Sequence, residues 1–405
     1  MAVVHPFSAL RPTRETAAAV SSVPYDVVNT EEARHLAAGN PLSFLHVTRS
    51  EIDLPPGTDP YSQEVYAKAV ENLASLRTRA PLVIEDEASL YFYRLRMGGH
   101  EQTGLAACFS RDEYDQNLIK KHERTRRDKE DDRTRHMIAL RAQTGVVFLT
   151  YRASEEIDRL CRAATADAPL YDFRADDGVH HSVWRVAAGQ TTAIMDAFRR
   201  VPTLYIADGH HRAASAARAR AELRGRQGAG QADTFIAVAF PDDQAQILPY
   251  NRIVKDLGGL RAEQLLSALR ERFSVQEAGA RPARKGLVAM YLAGRWYAID
   301  LSKASTDDAS RAASLDVALL QQHVLEPLLG IGDVRTDKRI DFVGGARGTS
   351  ALEKAVDEGH AAVAFSLHPV TMDDLMSIAD EGGIMPPKST WFEPKLRDGL
   401  LVHLI

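Results

Sequence analysis

The stretch 203-TLYIADGHHRAASAARARAEL-223 decides how this chain is read. Thr203 to Ala207 is a short apolar run with strand character, and the alanine-rich text from His210 onward favours helix. The junction is therefore a strand that turns into a helix through Asp208 and Gly209. Such a junction aims the unpaired N–H groups of the first helical turn at whatever occupies the turn, with the positive end of the helix dipole behind them. That is the physical setting of an anion site. Gly209 lets the backbone approach a ligand closely, and His210, His211 and Arg212 add donors that suit phosphate oxygens. Asp208 has three open roles: helix cap, magnesium ligand or proton acceptor. An aspartate before a helix is often only a cap, and a single histidine is often structural. The conjunction of acid, glycine, two histidines and arginine at one helix start points to function. A transition-metal site ranks lower, because no His-x-x-x-His or similar cluster accompanies the turn.

Upstream, 21-SSVPYDVVNTEEARHLAAGNPLSFLHV-47 reads as a strand entering a Pro-Tyr-Asp turn at Asp26. A short helix follows, capped by Asn29 or Thr30 and ending near Gly39 and Asn40. In 60-PYSQEVYAKAVENLASLRTR-79, Val65, Ala69, Leu73 and Leu76 fall on one helical face. The run 89-SLYFYRLRMGGHEQTGLAACFS-110 predicts a β-hairpin about its Gly-Gly turn. Between Lys120 and His136 lie eight Lys or Arg and five Asp or Glu; taken alone, such a run is a solvated helix face crossed by ion pairs. Downstream, TFIAVAF and LPYNRIV predict two more strands near the motif, and a helix through RAEQLLSALRERF brings the chain to a boundary near residue 275. The expectation is thus an α+β chain, with a first domain over 1–275 and a C-terminal α/β lobe over 276–405. In that lobe, 385-MPPKSTWFEPK-395 groups Lys388, Ser389, Thr390 and Lys395 as suits phosphate or carboxylate. A surface turn begun by Pro386 and Pro387 is an equally good reading of it. Asn251 and Arg252, just after an apolar strand, are candidates for ligand contact or for a turn that bonds itself.

With 405 residues, 45% hydrophobic and 26% charged, the composition is that of a globular protein of more than one domain. A net charge of −5 argues against a general nucleic-acid or membrane-surface protein. Cys108 and Cys161 stand alone, without disulfide or thiolate-zinc spacing, which fits a reducing compartment. No basic leader opens the chain, and nowhere do about 18 apolar residues run together, so the expected location is cytoplasmic. P-loop and protein-kinase motif sets are absent, and nothing nominates a serine nucleophile.

The blocks VPYDVVNTEEARHLAAGNPLSFLHV, KKHERTRRDKEDDR, YIADGHHRAASA, LPYNRIVKDL and MPPKSTWFEPK, in that order, resemble the family called domain of unknown function 1015. The DGHHR turn is also similar to the phosphate-binding turn of the ParB and sulfiredoxin superfamily, and VPYDVV to the opening strand and acid of that fold. The resemblance implies a ParB-like N-terminal core with elaborations. That superfamily holds nucleotide-binding DNA-segregation proteins, sulfiredoxins and free-serine kinases. Redox chemistry of the sulfiredoxin type needs a cysteine where this chain has His210. DNA clamping needs a basic helix-turn-helix after the turn, which this chain lacks, so no DNA partner is expected. The kinases keep an acid before a histidine in the turn and a carboxylate near the first strand, as Asp208 and Asp26 do here. The resemblance therefore implies a nucleotide-dependent kinase acting on the hydroxyl of serine or a similar small metabolite, with ATP or ADP and magnesium as cofactors. In it Asp208, Asp26 and His210 would be catalytic, and Asp208 would also hold the metal. Gly209, His211, Arg212, Lys121, His122, Arg124 and Arg127 would bind phosphates, and Asn251, Arg252, Lys388, Ser389, Thr390 and Lys395 the acceptor. The alternatives are a nucleotide-binding regulatory protein and a metal-dependent phosphohydrolase, and a homo-oligomer is compatible with any of them.

Overall fold

The computed structural model describes residues 2–223, 233–304 and 309–405. The strand Leu204–Asp208 lies parallel to Ile119–Lys120 on one side and antiparallel to Val147–Tyr151 on the other. It belongs to a nine-stranded mixed sheet that continues through Thr234–Pro241, His100–Ser110, Tyr91–Met97, His180–Arg185 and Tyr171–Arg174. The central strands of this sheet are buried almost throughout, as strands covered on both faces are. One face packs Val147, Leu149, Phe235, Ala237 and Ala239 with Ile157, Phe198 and the alanine stripe Ala213, Ala216 and Ala219 of the helix His210–Leu223. Small side chains on that stripe bring helix and sheet close, which fixes the helix start at the end of its strand.

The hairpin forms as expected: Tyr91–Met97 pairs with His100–Ser110 and closes at Met97 opposite His100. The helix Gln63–Arg79 buries Val65, Ala69, Leu73 and Leu76. Asn29 caps the helix Thr30–Ala37 in a reciprocal capping box with Glu32. Two local expectations fail. The strand expected to enter the Pro-Tyr-Asp turn does not form, Ser22 making only an isolated bridge to Asp398, while the turn itself is the 3₁₀ turn Tyr25–Val27; its Tyr25 is buried and its Asp26 exposed. The charged run is helical only from Arg127, continuing to Leu140 and ending at Arg141 in the left-handed region.

The chain divides into two units, Met1–Ala245 with Pro394–Ile405, and Gln246–Glu393. This division precedes the expected one near 275. The strand Tyr250–Val254, expected near the motif, instead joins the second unit's sheet, between Ile340–Gly344 and Val363–Leu367. That sheet is six-stranded, and each of its pairings is antiparallel. Within it Leu287–Leu292 and Arg295–Asp300 form the expected hairpin, turning through Ala293 and Gly294, both at positive φ. The last residues return to the first unit. There Val402–Leu404 lies between Ala9–Arg11 and Ala142–Gln143 in a small four-stranded sheet. Both units mix helices with sheets, so the α+β class holds. Among the described residues no helix is long and apolar enough to cross a membrane.

Candidate functional site

The strand ends at Asp208, the backbone turns through Gly209 at φ +94°, and the helix begins at His210. That φ is costly for any residue with a Cβ. A Cβ at Gly209 would also stand 3.3 Å from the Arg212 guanidinium, which folds back beneath the turn.

Arg212 is 5% exposed. It donates from Nε to Asp26 Oδ2 at 3.1 Å, from Nη2 to both Asp26 oxygens at 2.9 Å, and from Nη1 to the Val146 carbonyl. Burial alone would weaken its proton affinity, but Asp26, then Asp208, raise it above the ordinary range. Every guanidinium nitrogen thus meets protein oxygen. The residue expected to bind phosphate thus grips the residue expected to be the catalytic acid. Asp26 keeps 32% of its side-chain exposure, so the carboxylate is gripped from one side and open on the other.

Asp208 Oδ2 accepts from Lys395 Nζ at 3.1 Å. Burial works to raise this carboxyl, yet Lys395 and then Arg212 hold it well below its usual range. Beside Arg212 and Asp26 lies Asp398, 1% exposed, on the same returning segment as Lys395. Burial pushes its carboxyl up to about 7, against the pull of Arg212 and two backbone N–H groups, those of Tyr25 and Val146. Sequence reasoning missed Asp398, because an Asp before a Gly reads as an ordinary turn. Only the fold shows Gly399 at φ +89° pressed against Phe44 and the carboxyl driven inward.

His210 is buried, with the His122 ring edge-on at a centroid distance of 4.4 Å. Its Nε2 accepts from the His122 backbone N–H at 3.4 Å, and Glu123 Oε2 lies 3.7 Å from its Nδ1. His211 Nε2 accepts from the Arg126 backbone N–H at 2.9 Å. Burial lowers His210 well below the usual imidazole range and brings His122 to about 4. Lys121 places its ammonium 4.0 Å from the centre of the Tyr114 ring, while Arg124 and Arg127 are exposed.

The structure therefore brings together Asp26, Asp208, Gly209, His210, His211, Arg212, His122 and Lys395. Asn251, Arg252, Lys388, Ser389 and Thr390 belong to the second unit. Three of them spend their polar groups on that unit's own backbone. Asn251 Oδ1 accepts from Leu367 N at 3.1 Å, Arg252 Nη2 donates to the Lys388 carbonyl at 2.9 Å, and Ser389 Oγ donates to the Pro386 carbonyl at 2.6 Å. Arg252 thereby pins Lys388 in the left-handed region at φ +59°, with its ammonium 5.5 Å from the centre of the Tyr250 ring.

A family model described as "Protein of unknown function (DUF1015)" matches residues 4–318. The chain belongs to the DUF1015 family. This DUF1015 chain has no match among curated proteins. Among solved structures it is similar to SbnI with C-terminal truncation from Staphylococcus aureus, at 11% identity and a TM-score of 0.40, covering 74% of this chain and 87% of that one. It is also similar to a free serine kinase in complex with AMP, at 12% identity and a TM-score of 0.36, covering 73% and 91%. A conserved hypothetical protein from Pyrococcus furiosus matches at 13% identity and a TM-score of 0.37, covering 74% and 95%.

Proposed function

We propose that this DUF1015 chain is a nucleotide-dependent phosphotransferase that moves a phosphoryl group from ATP or ADP to the hydroxyl of serine or a similar small metabolite. The observation that carries this reading is a pair of carboxylates at one helix start. Asp26 is gripped by the buried Arg212, and Asp208 opens the same turn in contact with Lys395. Phosphoryl transfer asks little covalent chemistry of a protein; it asks for position and for neutralisation of spreading charge. The open side of Asp26 would orient the acceptor hydroxyl and take its proton. The acceptor oxygen bonds to phosphorus as the bond from phosphorus to the nucleotide's bridging oxygen breaks, and the leaving nucleotide keeps that electron pair. The N–H groups of the first turn of His210–Leu223 and the ammonium of Lys395 would balance the phosphate charge.

Among the described residues no group of three or more His, Cys, Asp or Glu is placed to hold a metal ion. Magnesium needs no such cage, since one or two carboxylates with substrate phosphates commonly suffice. Asp208 fits that role through its oxygen opposite Lys395, and the metal would supply charge neutralisation between the phosphates.

Phosphorus NMR of the chain with ATP or ADP, magnesium and a panel of hydroxy amino acids is expected to show a new phosphate monoester. Asp208→Asn preserves the shape and should lower transfer by about a hundredfold or more with little change in melting temperature. Inorganic phosphate as the sole product would replace this reading with a phosphohydrolase, and no product with any acceptor would overturn it.

A further inference from the structure

We infer that His210 and His211 are positioning residues: they hold the cationic segment 121–127 against the Asp208 turn by accepting its backbone N–H groups at Nε2, which is thereby closed to a phosphate. The inference rests on the phosphotransfer reading only for what the segment is held to do.

A backbone N–H can only donate, so the nitrogen that meets it must carry a lone pair. His211 Nε2 faces the Arg126 N–H at 2.9 Å, and His210 Nε2 faces the His122 N–H at 3.4 Å. Both rings are therefore neutral and protonated at Nδ1. A phosphate oxygen demands the opposite of the nitrogen that meets it, so Nε2 of neither ring can serve one while these bonds are made. In His210 the remaining Nδ1–H points toward Glu123, whose carboxylate lies 3.7 Å away, and the ring is buried against His122.

The placement of the two bonds gives them a purpose. The segment leaves Ile119–Lys120, which pairs with the strand leading to Asp208, and enters the helix Arg127–Leu140. Between those two anchors stand Lys121 to Arg126, and the histidine bonds fall near the two ends of this stretch, at His122 and Arg126. The intervening backbone is thereby drawn along the helix start. Arg124 and Arg127 remain exposed at its surface, while Arg212 has spent its donors on Asp26 and Val146. Arg124 and Arg127 thus stand exposed toward solvent on this segment, able to meet an anionic polyphosphate, and the histidines determine where they stand.

Side-chain ¹⁵N NMR of the full chain at neutral pH tests the proton placement directly: both histidines should be protonated on Nδ1, and an Nε2-protonated His211 overturns the inference. Amide hydrogen exchange tests the clamp. His211→Ala should speed exchange at Arg126 by about two- to tenfold, as expected for loss of one hydrogen bond. His211→Gln, whose Oε1 can accept the same N–H, should restore protection. Equal protection of Arg126 in His211→Ala, or failure of His211→Gln to restore it, overturns the inference. In turnover, His211→Ala should raise KM for the nucleotide by about tenfold with kcat nearly unchanged, the signature of misplaced binding groups. A fall in kcat at unchanged KM would mark His211 as catalytic instead. If the wild-type chain binds no nucleotide, the phosphotransfer reading falls, and the NMR and exchange results still decide the clamp.

Discussion

Asp398 shows how much a single buried carboxyl can weigh. Its Oδ2 has no hydrogen-bond partner among the described residues, a condition that suits a protonated oxygen far better than an ionised one. The ordinary carboxyl value is 3.8, whereas the folded chain holds Asp398 at about 7. Between those values the folded state binds a proton that the unfolded state has released, so stability falls as pH rises through the window and is level above it. Asp398→Asn keeps the shape of the protonated acid and removes the penalty. The variant should match the wild type near pH 4 and exceed it by on the order of 2–4 kcal/mol at pH 8, as read by urea denaturation at both pH values. A gap that does not widen with pH would show that the carboxyl is not held protonated.

At the level of the element, the strand-to-helix junction depends on Gly209. Gly209→Ala must hold a Cβ at φ +94° and push against the Arg212 guanidinium. The expected cost is about 1–3 kcal/mol, measured by chemical denaturation, with a fall in transfer rate as Arg212 loses its fixed hold on Asp26. This junction was legible in the sequence because apolar strand, Gly and alanine-rich helix are local signals. So were the helix Gln63–Arg79 and the hairpin about Gly98 and Gly99, whose periodicity and turn residues lie within one short window. The absence of a strand before the Tyr25–Val27 turn was not, since tertiary contacts rather than propensity fix that stretch. The partners of Arg212 and the two histidines were hidden for a different reason. A residue type announces that it can donate or accept, but which neighbour claims it depends on residues far away in the chain: Asp26, His122 and Arg126.

On the scale of the whole molecule, the last dozen residues matter out of proportion to their number. Pro394–Ile405 lies beyond the residues that the family model matches, yet it belongs to the first unit and supplies Lys395 and Asp398. Arg397 on the same segment donates to the buried His181 at 3.2 Å and pairs with Asp177. Lys395→Ala should leave the fold intact while lowering transfer by about tenfold or more, because it removes a charge from Asp208 rather than a strand. A chain ending at Glu393 should instead lose the cooperative unfolding transition of the first unit, seen by circular dichroism, since Ala9–Arg11 and Ala142–Gln143 would lose the strand that joins them. That strand also sets an order of events during synthesis. A ribosome completes nearly all of the first unit long before it reaches Val402, and all of the second unit just before. The nascent N-terminal portion must therefore wait with Leu10 and Ala142 uncovered and two strand edges open, a condition that invites association with other chains. The unit that is begun first is the unit that closes last.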